Sequence, residues 1–449
     1  MYEWDAPTYH YMCIQSLSIE YTECIQMPDR HFTFTATLSQ RQYCPSSAID
    51  FNSRREGIAL VLHGAKDLQL ESRPVNPPTN SEVQIAIRAT GLCGSDLHYY
   101  NHGRNGDFVV REPMCLGHES SGIVTAVGND VTNLQVGDRV ALEVGLPCRK
   151  CTLCQQGRYN ICPEMKFRSS AKIFPHLDGT LMELTNHPAD MCHKLPDSVS
   201  YTGGALVEPL AVCLHAIRRS RPPTQSEVKL AESLGDSAAA LIFGAGAVGL
   251  LLAAALATSE NFSSIVVADI DPARLAIADS LNLGLKTTLI PRADPAHPPP
   301  ARDAPQAEQT SYALENAQRL ATSLKTSHGV SSGFVRVYDC TGVPACVQAG
   351  IYAAAPGSVL VQIGMGNPIQ TLPVGAAALR EVDIIGVFRY DGYAYPAAIA
   401  LMASGKFDRV EERVVTHRLA LDKGDRAFQL AGRGVDESGR PVVKVVIES

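Results

Sequence analysis

Positive charge is in short supply in this chain. Lys and Arg number 39 against 46 Asp and Glu, a formal net charge of −7. Such a balance lacks the basic face that draws in a polyanion or an anionic bilayer, so nucleic acid and membrane are excluded as main partners. The first residues show no basic start followed by an apolar run, which excludes a secretory signal. Their acidic residues and the lack of an Arg-rich amphipathic face exclude a transit peptide. Long apolar runs are missing with one exception. Ala238 to Ala257 carries no charge and is long enough to cross a bilayer, but Gly244, Gly246 and Gly249 interrupt it. The 13 cysteines are an odd number, in a chain whose 45% apolar content leaves no need for covalent staples. They read as reduced thiols of a cytoplasmic protein, some of them metal ligands.

A chain of 449 residues accommodates two domains and an extension. Residues 1–56 are polar, spotted with aromatics and without a lasting period. They are expected to be a poorly ordered extension, and no function is assigned to them. Short β-branched runs begin at Ile58–His63 and continue at Glu82–Arg88, Gly122–Gly128 and Val136–Leu142, separated by Gly and Pro turns. This pattern predicts a small β-barrel-like domain. Within it lies Cys148-x2-Cys151-x2-Cys154-x7-Cys162. Four thiolates on one short loop can close all four positions of a tetrahedral structural zinc.

A helical stretch around Gly203 to Arg219 leads to a different pattern. Ala239–Phe243 reads as a buried strand, Gly244-Ala-Gly246-Ala-Val248-Gly249 as a tight turn, Leu250–Thr258 as a helix, and Ser264–Ala268 as a second strand ending at Asp269. Strand, glycine turn, helix, strand and acid make a dinucleotide-binding fingerprint. The glycines let the backbone approach a pyrophosphate at the helix N-terminus. Asp269 is placed to accept the adenosine ribose hydroxyls and to repel a 2′-phosphate, which favours NAD; Arg274 nearby is the feature that speaks for the phosphate. Further strands are expected at Phe334–Tyr338, Ser358–Ile363 and Asp383–Phe388, a surface insert near 291–311, a helix from Tyr395 to Ser404, and short strands near Val414 and Val442. Together they predict a doubly wound parallel sheet beside the β-rich domain. Gly117-His118-Glu119, with Cys93 upstream and Glu208 downstream, supplies a plausible donor set for a second zinc, one that keeps an open position and is therefore catalytic.

Gly91-Leu-Cys-Gly-Ser-Asp-Leu-His98, Gly117-His-Glu119, the four-cysteine loop, Glu208-Pro-Leu and the glycine turn together resemble the zinc-dependent medium-chain alcohol dehydrogenases, from about Ile58 to Ser449. His98-Tyr-Tyr100, Gly157-Arg-Tyr-Asn160, Arg380-Glu-Val-Asp-Ile384, Val387-Phe-Arg-Tyr390 and Val415-Thr-His417 look like its polyol branch, and Phe167–His176 most like fungal and bacterial sorbitol-type members. The resemblance implies a GroES-like catalytic domain in two parts, 57–208 and 389–449, around an NAD-binding Rossmann domain, 209–388. It implies that Cys93, His118 and Glu119 hold the catalytic zinc, with Glu208 either binding it or holding its water, and that Cys148, Cys151, Cys154 and Cys162 hold the structural zinc. Tyr99, Glu208, Arg389 and Tyr390 would contact the polyol. Gly244, Gly246, Val248, Gly249, Asp269 and Arg274 would contact NAD, as would the backbones of Ile363-Gly364-Met365 and Val387-Phe388-Arg389. Ser95 and His98 would pass the alcohol proton to solvent. A homotetramer or homodimer is implied as well.

The chemistry follows from these groups. Zinc lowers the pKa of a bound hydroxyl by several units, and the nicotinamide takes the hydride. Cys93 and Glu119 as anions with neutral His118 leave the zinc centre near neutral. A further anionic ligand would weaken it as a Lewis acid, which favours Glu208 as the group bonded to the zinc water. Asp96 is a candidate to orient a metal-binding histidine through its ring N–H. The expectation is oxidation of a sugar alcohol (sorbitol, xylitol or L-arabinitol) to the ketose with NAD. The alternative is another secondary alcohol, a diol or threonine.

Overall fold

The computed structural model describes residues 55–449, apart from 234, 236, 260, 293 and 294. The expectation for the N-terminal extension therefore lies outside the described residues, except at its end. Strand β1 (Arg55–Gly64) already includes Arg55 and Glu56, which pair with Val75 and Pro74 of β2 (Asp67–Val75). The hairpin takes in Arg55 and Glu56, two polar residues that alternation alone does not assign to a strand.

The first domain is built on a mixed sheet. Its strands are β3 (Glu82–Gly91), β4 (Glu119–Val127), β5 (Arg139–Leu142), β6 (Leu184–Pro188) and β7 (Cys192–Lys194). The order is β7-β5-β4-β3, with β6 also on β3; two strands from the far end of the chain continue it. β3 carries Val83, Ile85 and Ile87 at alternate positions, all at 1% exposure or less. That period of two puts them on one face, against Val124, Val140 and Leu142. β5 begins three residues later than the sequence suggests. Val136 is exposed and Gly137 takes φ +93°, so a turn precedes the strand, fixed by Asp138 accepting the Gln135 N–H at 2.9 Å. Helix α1 (Gly94–His102) follows β3 directly. The helical stretch near Gly203 divides into a turn of helix at Tyr201–Ala205 and helix α2 (Val207–Ser220).

The second sheet is parallel and six-stranded. β8 (Ala239–Phe243) is wholly buried and central, flanked by β9 (Ser264–Asp269) and β11 (Phe334–Asp339). β10 (Lys286–Leu289) and β12 (Ala354–Gln362) come next, and β13 (Asp383–Gly386) closes one edge. The strand order reverses at β8, which puts the glycine turn at the switch point where such sheets bind ligands. Helix α3 (Ala247–Ser259) follows that turn. Leu250, Leu251 and Leu252 are at 0% exposure because both faces of the helix are covered, and each such side chain contributes ~1.5–3 kcal/mol of burial. The uncharged stretch is thus a strand and a core helix. Among the described residues no helix is long and apolar enough to cross a membrane. The insert near 291–311 is shorter as a loop than expected, since helix α4 (Gln306–His328) begins inside it. The Ala/Glu/Gln run from Gln306 favours helix once Pro305 is passed.

After β13 the chain passes through helix α5 (Ala394–Ala403) and returns to the first sheet. β14 (Val415–Ala420) and β15 (Lys444–Glu448) lie parallel, and β15 pairs antiparallel with β3. Two bonds tie the halves together beside the site. The Tyr395 hydroxyl donates to Leu142 O at 2.8 Å, and Asn160 Nδ2 donates to Phe388 O at 2.8 Å.

Candidate active site

The N-terminus of α1 sets the first ligand. Cys93 is its N-cap, and Asp96 at N3 accepts the Cys93 N–H at 3.1 Å, one half of a capping box. The same carboxylate is fully buried. Its Oδ1 accepts the Gly117 N–H at 3.2 Å and the Ser169 hydroxyl at 2.8 Å. Ser169 Oγ in turn accepts the Gly117 N–H at 3.0 Å. One carboxylate therefore fixes the two chain segments that bear Cys93 and His118. Asp96 Oδ1 also stands 3.3 Å from His118 Nδ1, although the geometry is not that of an aligned hydrogen bond. Burial would raise the Asp96 carboxyl, but His118 and these donors hold it below its usual range. Burial works to lower His118, and the anionic surroundings of Asp96 and Cys93 override it, leaving the ring well above its ordinary value. The pocket is thus built to hold positive charge.

Ligand atoms of Cys93, His118 and Glu119 lie within 4.8 Å of one another. Thiolate, imidazole and carboxylate are all donors zinc accepts, and three of them leave a position open. Gly117 takes φ +92°, and a Cβ there would meet Leu181 and Thr90 at 2.7 and 2.9 Å. A Cβ on Gly91 would meet Glu119 Oε2 at 2.2 Å, so a larger residue there would displace the ligand carboxylate. Ser95 Oγ lies 3.4 Å from His118 Nε2, and His98 is exposed at the middle of α1.

Sequence reasoning missed Lys444. It is 4% exposed on β15, and its Nζ donates to Glu119 Oε2 at 2.7 Å, Glu119 Oε1 at 2.9 Å and Leu92 O at 3.0 Å. Burial works to lower its pKa, but Glu119 and Cys93 more than reverse this, so it stays charged. The available signal was a lone lysine inside the apolar run Val442-Val-Lys-Val-Val-Ile447. Glu208 lies in the first turn of α2 at 6% exposure and is not part of the three-residue ligand group. Burial pushes its carboxyl up to about 7; Glu119 adds to this, while His118, Lys444 and Arg389 oppose it.

The cysteine loop closes on itself. Sγ–Sγ distances are 3.5 Å for Cys151–Cys154, 3.8 Å for Cys151–Cys162 and 3.9 Å for Cys148–Cys154. A tetrahedron with bonds of about 2.3 Å has edges of about 3.8 Å, so the four sulfurs match a zinc cage, and all four are free thiols.

At the glycine turn each position has its own geometry. Gly244 takes φ +100°, and a Cβ on Gly249 would meet Gly244 O at 1.8 Å. A Cβ on Gly246 would meet nothing within 4 Å. The first and third glycines are needed by the protein, and the second opens onto free space of the kind a pyrophosphate fills. Asp269 is 8% exposed; its Oδ2 accepts the Ala245 N–H at 2.6 Å and its Oδ1 the Asp271 N–H at 2.8 Å. Arg274 Nε is buried without a hydrogen-bond partner, 3.8 Å from Asp271 Oδ2. Val248 packs on the core. The N–H groups of Ile363 and Gly364 both donate to Asp339 O at 2.9 Å, and the Val387 N–H donates to Gln362 O at 3.0 Å, so both predicted cofactor segments are fixed at strand ends. Met365 and Phe388 are exposed there.

The Phe167 ring lies 5.7 Å from that of His118, and Arg389 stands over the Phe167 ring at 3.6 Å and 4.6 Å from the Phe388 centroid. Its φ is +56°. Arg389 Nη1 is a buried polar atom without a partner, and the buried Tyr390 ring packs 5.0 Å from that of Tyr395. Burial brings Arg389 down to about 10, while Tyr390, Glu208 and Tyr99 counteract it. Tyr99 is 1% exposed and its hydroxyl oxygen accepts the Ala171 N–H at 3.1 Å, which leaves its own proton to donate.

A closed cysteine cage, a three-ligand metal pocket and a Rossmann glycine turn in one chain define a zinc-dependent, nucleotide-dependent dehydrogenase. Two family models agree: "Alcohol dehydrogenase GroES-like domain" over residues 79–197 and "Zinc-binding dehydrogenase" over residues 247–404. The chain is 38% identical over 379 residues to sorbitol dehydrogenase of Gallus gallus, covering 84% of this chain and 94% of that one. It is 36% identical over 387 residues to D-xylulose reductase A of Aspergillus niger, covering 86% and 96%. Among solved structures, 2R,3R-butanediol dehydrogenase from Bacillus subtilis superposes with a TM-score of 0.67 at 26% identity, covering 88% of this chain and 99% of that one. The chain belongs to the zinc-dependent medium-chain alcohol dehydrogenase family, with relatives in its polyol branch.

Proposed function

We propose that this protein is a cytoplasmic polyol dehydrogenase that oxidises a sugar alcohol of the sorbitol, xylitol or L-arabinitol type to its ketose with NAD. One observation carries the substrate class: Arg389 Nη1 is buried without a partner in the electrostatic neighbourhood of Glu208. A buried donor left unmade costs ~1–3 kcal/mol, and outer hydroxyls of a polyol supply what ethanol cannot. A site of this kind discriminates strongly against analogues that lack the hydroxyl.

Cys93, His118 and Glu119 would hold the catalytic zinc and the four-cysteine loop the structural one. When bound, the catalytic zinc supplies the Lewis acidity that lowers the pKa of the substrate hydroxyl, and NAD accepts the hydride. The chain's own groups do the rest. Asp96 keeps Cys93 and His118 in register. Glu208, with a carboxyl pKa near neutrality, accepts the hydroxyl proton. Ser95, beside His118, and His98, at the surface of α1, pass that proton to solvent. Arg389, Tyr390 and the Tyr99 proton position the outer hydroxyls. Asp269 receives the adenosine ribose, and Asp271 beside Arg274 keeps a 2′-phosphate unwelcome, so NAD is preferred over NADP. The edge strand β13 is flanked by exposed apolar side chains (Leu379, Val374 and Ile369), which supports assembly into a homodimer or homotetramer.

Initial rates with NAD on sorbitol, xylitol, arabinitol, threonine, 2-propanol and ethanol test the reading. Polyols are expected to lead. Arg389→Met should lower kcat/KM for the best polyol roughly tenfold or more while sparing 2-propanol. Equal rates on polyols and simple alcohols would overturn the substrate assignment.

A further inference from the structure

Outside both zinc sites, one pair of metal-ligating side chains stands unused. His98 and His102 lie four residues apart on the exposed face of α1, with ring centroids 6.2 Å apart and planes inclined by 37°. Among the described residues, neither ring has a hydrogen-bond partner. Side chains at i and i+4 of a helix face one another, with Cβ atoms about 5–6 Å apart. Two imidazoles so placed can each bring a nitrogen to about 2.0–2.1 Å from one shared ion after a small side-chain rotation. The helix ends immediately after His102, where Gly103 takes φ +63°. His102 therefore stands in the last turn, where the partial negative charge of the free carbonyls favours a cation, and His98 lies one turn before it.

We propose that His98 and His102 form a third metal site, for a late first-row divalent cation such as Zn²⁺ or Ni²⁺, and that its occupancy inhibits the enzyme. Imidazole suits these ions, and water completes the coordination. With two protein ligands rather than three or four, the site fills only after the catalytic and structural sites are loaded, so it responds to metal in excess. The inhibition rests on the reading of His98 as the solvent end of the proton relay. A ring nitrogen that binds a metal has no lone pair left to accept a proton.

The test uses the full-length enzyme with both zinc sites filled, titrated with Zn²⁺ alone against a chromophoric zinc indicator, with turnover followed in parallel. Wild type should bind one further equivalent in the micromolar range and lose activity over the same concentration range. His102→Ala and His102→Gln, which alter a residue outside the catalytic machinery, should keep the basal rate and weaken both binding and inhibition by at least roughly tenfold. Absence of a further equivalent in wild type, or equal binding by both variants, would overturn the site. A further equivalent that binds wild type and leaves turnover unchanged would overturn the inhibitory role and, separately, the relay reading of His98.

Discussion

Replacing Lys444 by Met gives the sharpest test of how the metal pocket is held together. Lys444 is 4% exposed and donates to both oxygens of Glu119, which is itself 1% exposed. Methionine keeps most of the volume and removes the cation. Removing one partner of a buried ion pair costs ~3–5 kcal/mol, because the other charge is left uncompensated. Zinc ligated by Glu119 would supply a positive charge in the same place, so the cost should depend on metal. In urea denaturation, zinc-stripped Lys444→Met is expected to lose about 3–5 kcal/mol relative to zinc-stripped wild type. With zinc restored, the difference should shrink to well under half. An equal loss with and without zinc would show that Glu119 does not share its charge with the metal. No loss in the stripped protein would refute the ion-pair argument itself.

Three further outcomes are expected. Cys151→Ser should release one zinc per chain by mass spectrometry and leave Cys93, His118 and Glu119 loaded, since the two ligand groups share no residue. Gly246→Val should abolish NAD binding by calorimetry without lowering the melting temperature, because a Cβ at that position meets no protein atom within 4 Å. His187 should make stability fall in acid. It accepts the Arg168 Nε–H at 3.1 Å and its Nε2 lies 3.0 Å from Glu143 O; burial, reinforced by Arg168, lowers its pKa to about 3. The folded state thus refuses a proton that the unfolded chain accepts below about 6.5. Its contribution is fully present above that pH and declines by about 1.4 kcal/mol per unit as pH falls toward 3. A His187→Gln variant whose urea midpoint keeps the wild-type slope between pH 6.5 and 5 would contradict this.

Local chemistry was the legible part of the chain. The glycine turn announced itself because strand, turn, helix and acid fall within about 30 consecutive residues, and the cysteine cage because its ligands share one loop. β3 and β8 were readable from β-branched and apolar runs. The start of β5 was not, because Val136 looks like strand while Gly137 and Asp138 make a turn. Contacts between segments distant in sequence were the illegible part. The role of Ser169 depends on meeting Asp96 from 73 residues away, and that of Lys444 on meeting Glu119 from 325 residues away. No period or spacing encodes such meetings; the antiparallel pairing of β15 with β3 creates the second one.

That separation of 325 residues also has a meaning in time. Ribosomes add ~5–20 residues per second, so Glu119 exists for tens of seconds before its cation is synthesised. Through that interval Cys93, His118 and Glu119 are present while β15 is still missing from the sheet. A nascent chain in this state carries Cys93, His118 and Glu119 without Lys444 beside them, so the pocket gains that cation only when the last strand joins the sheet.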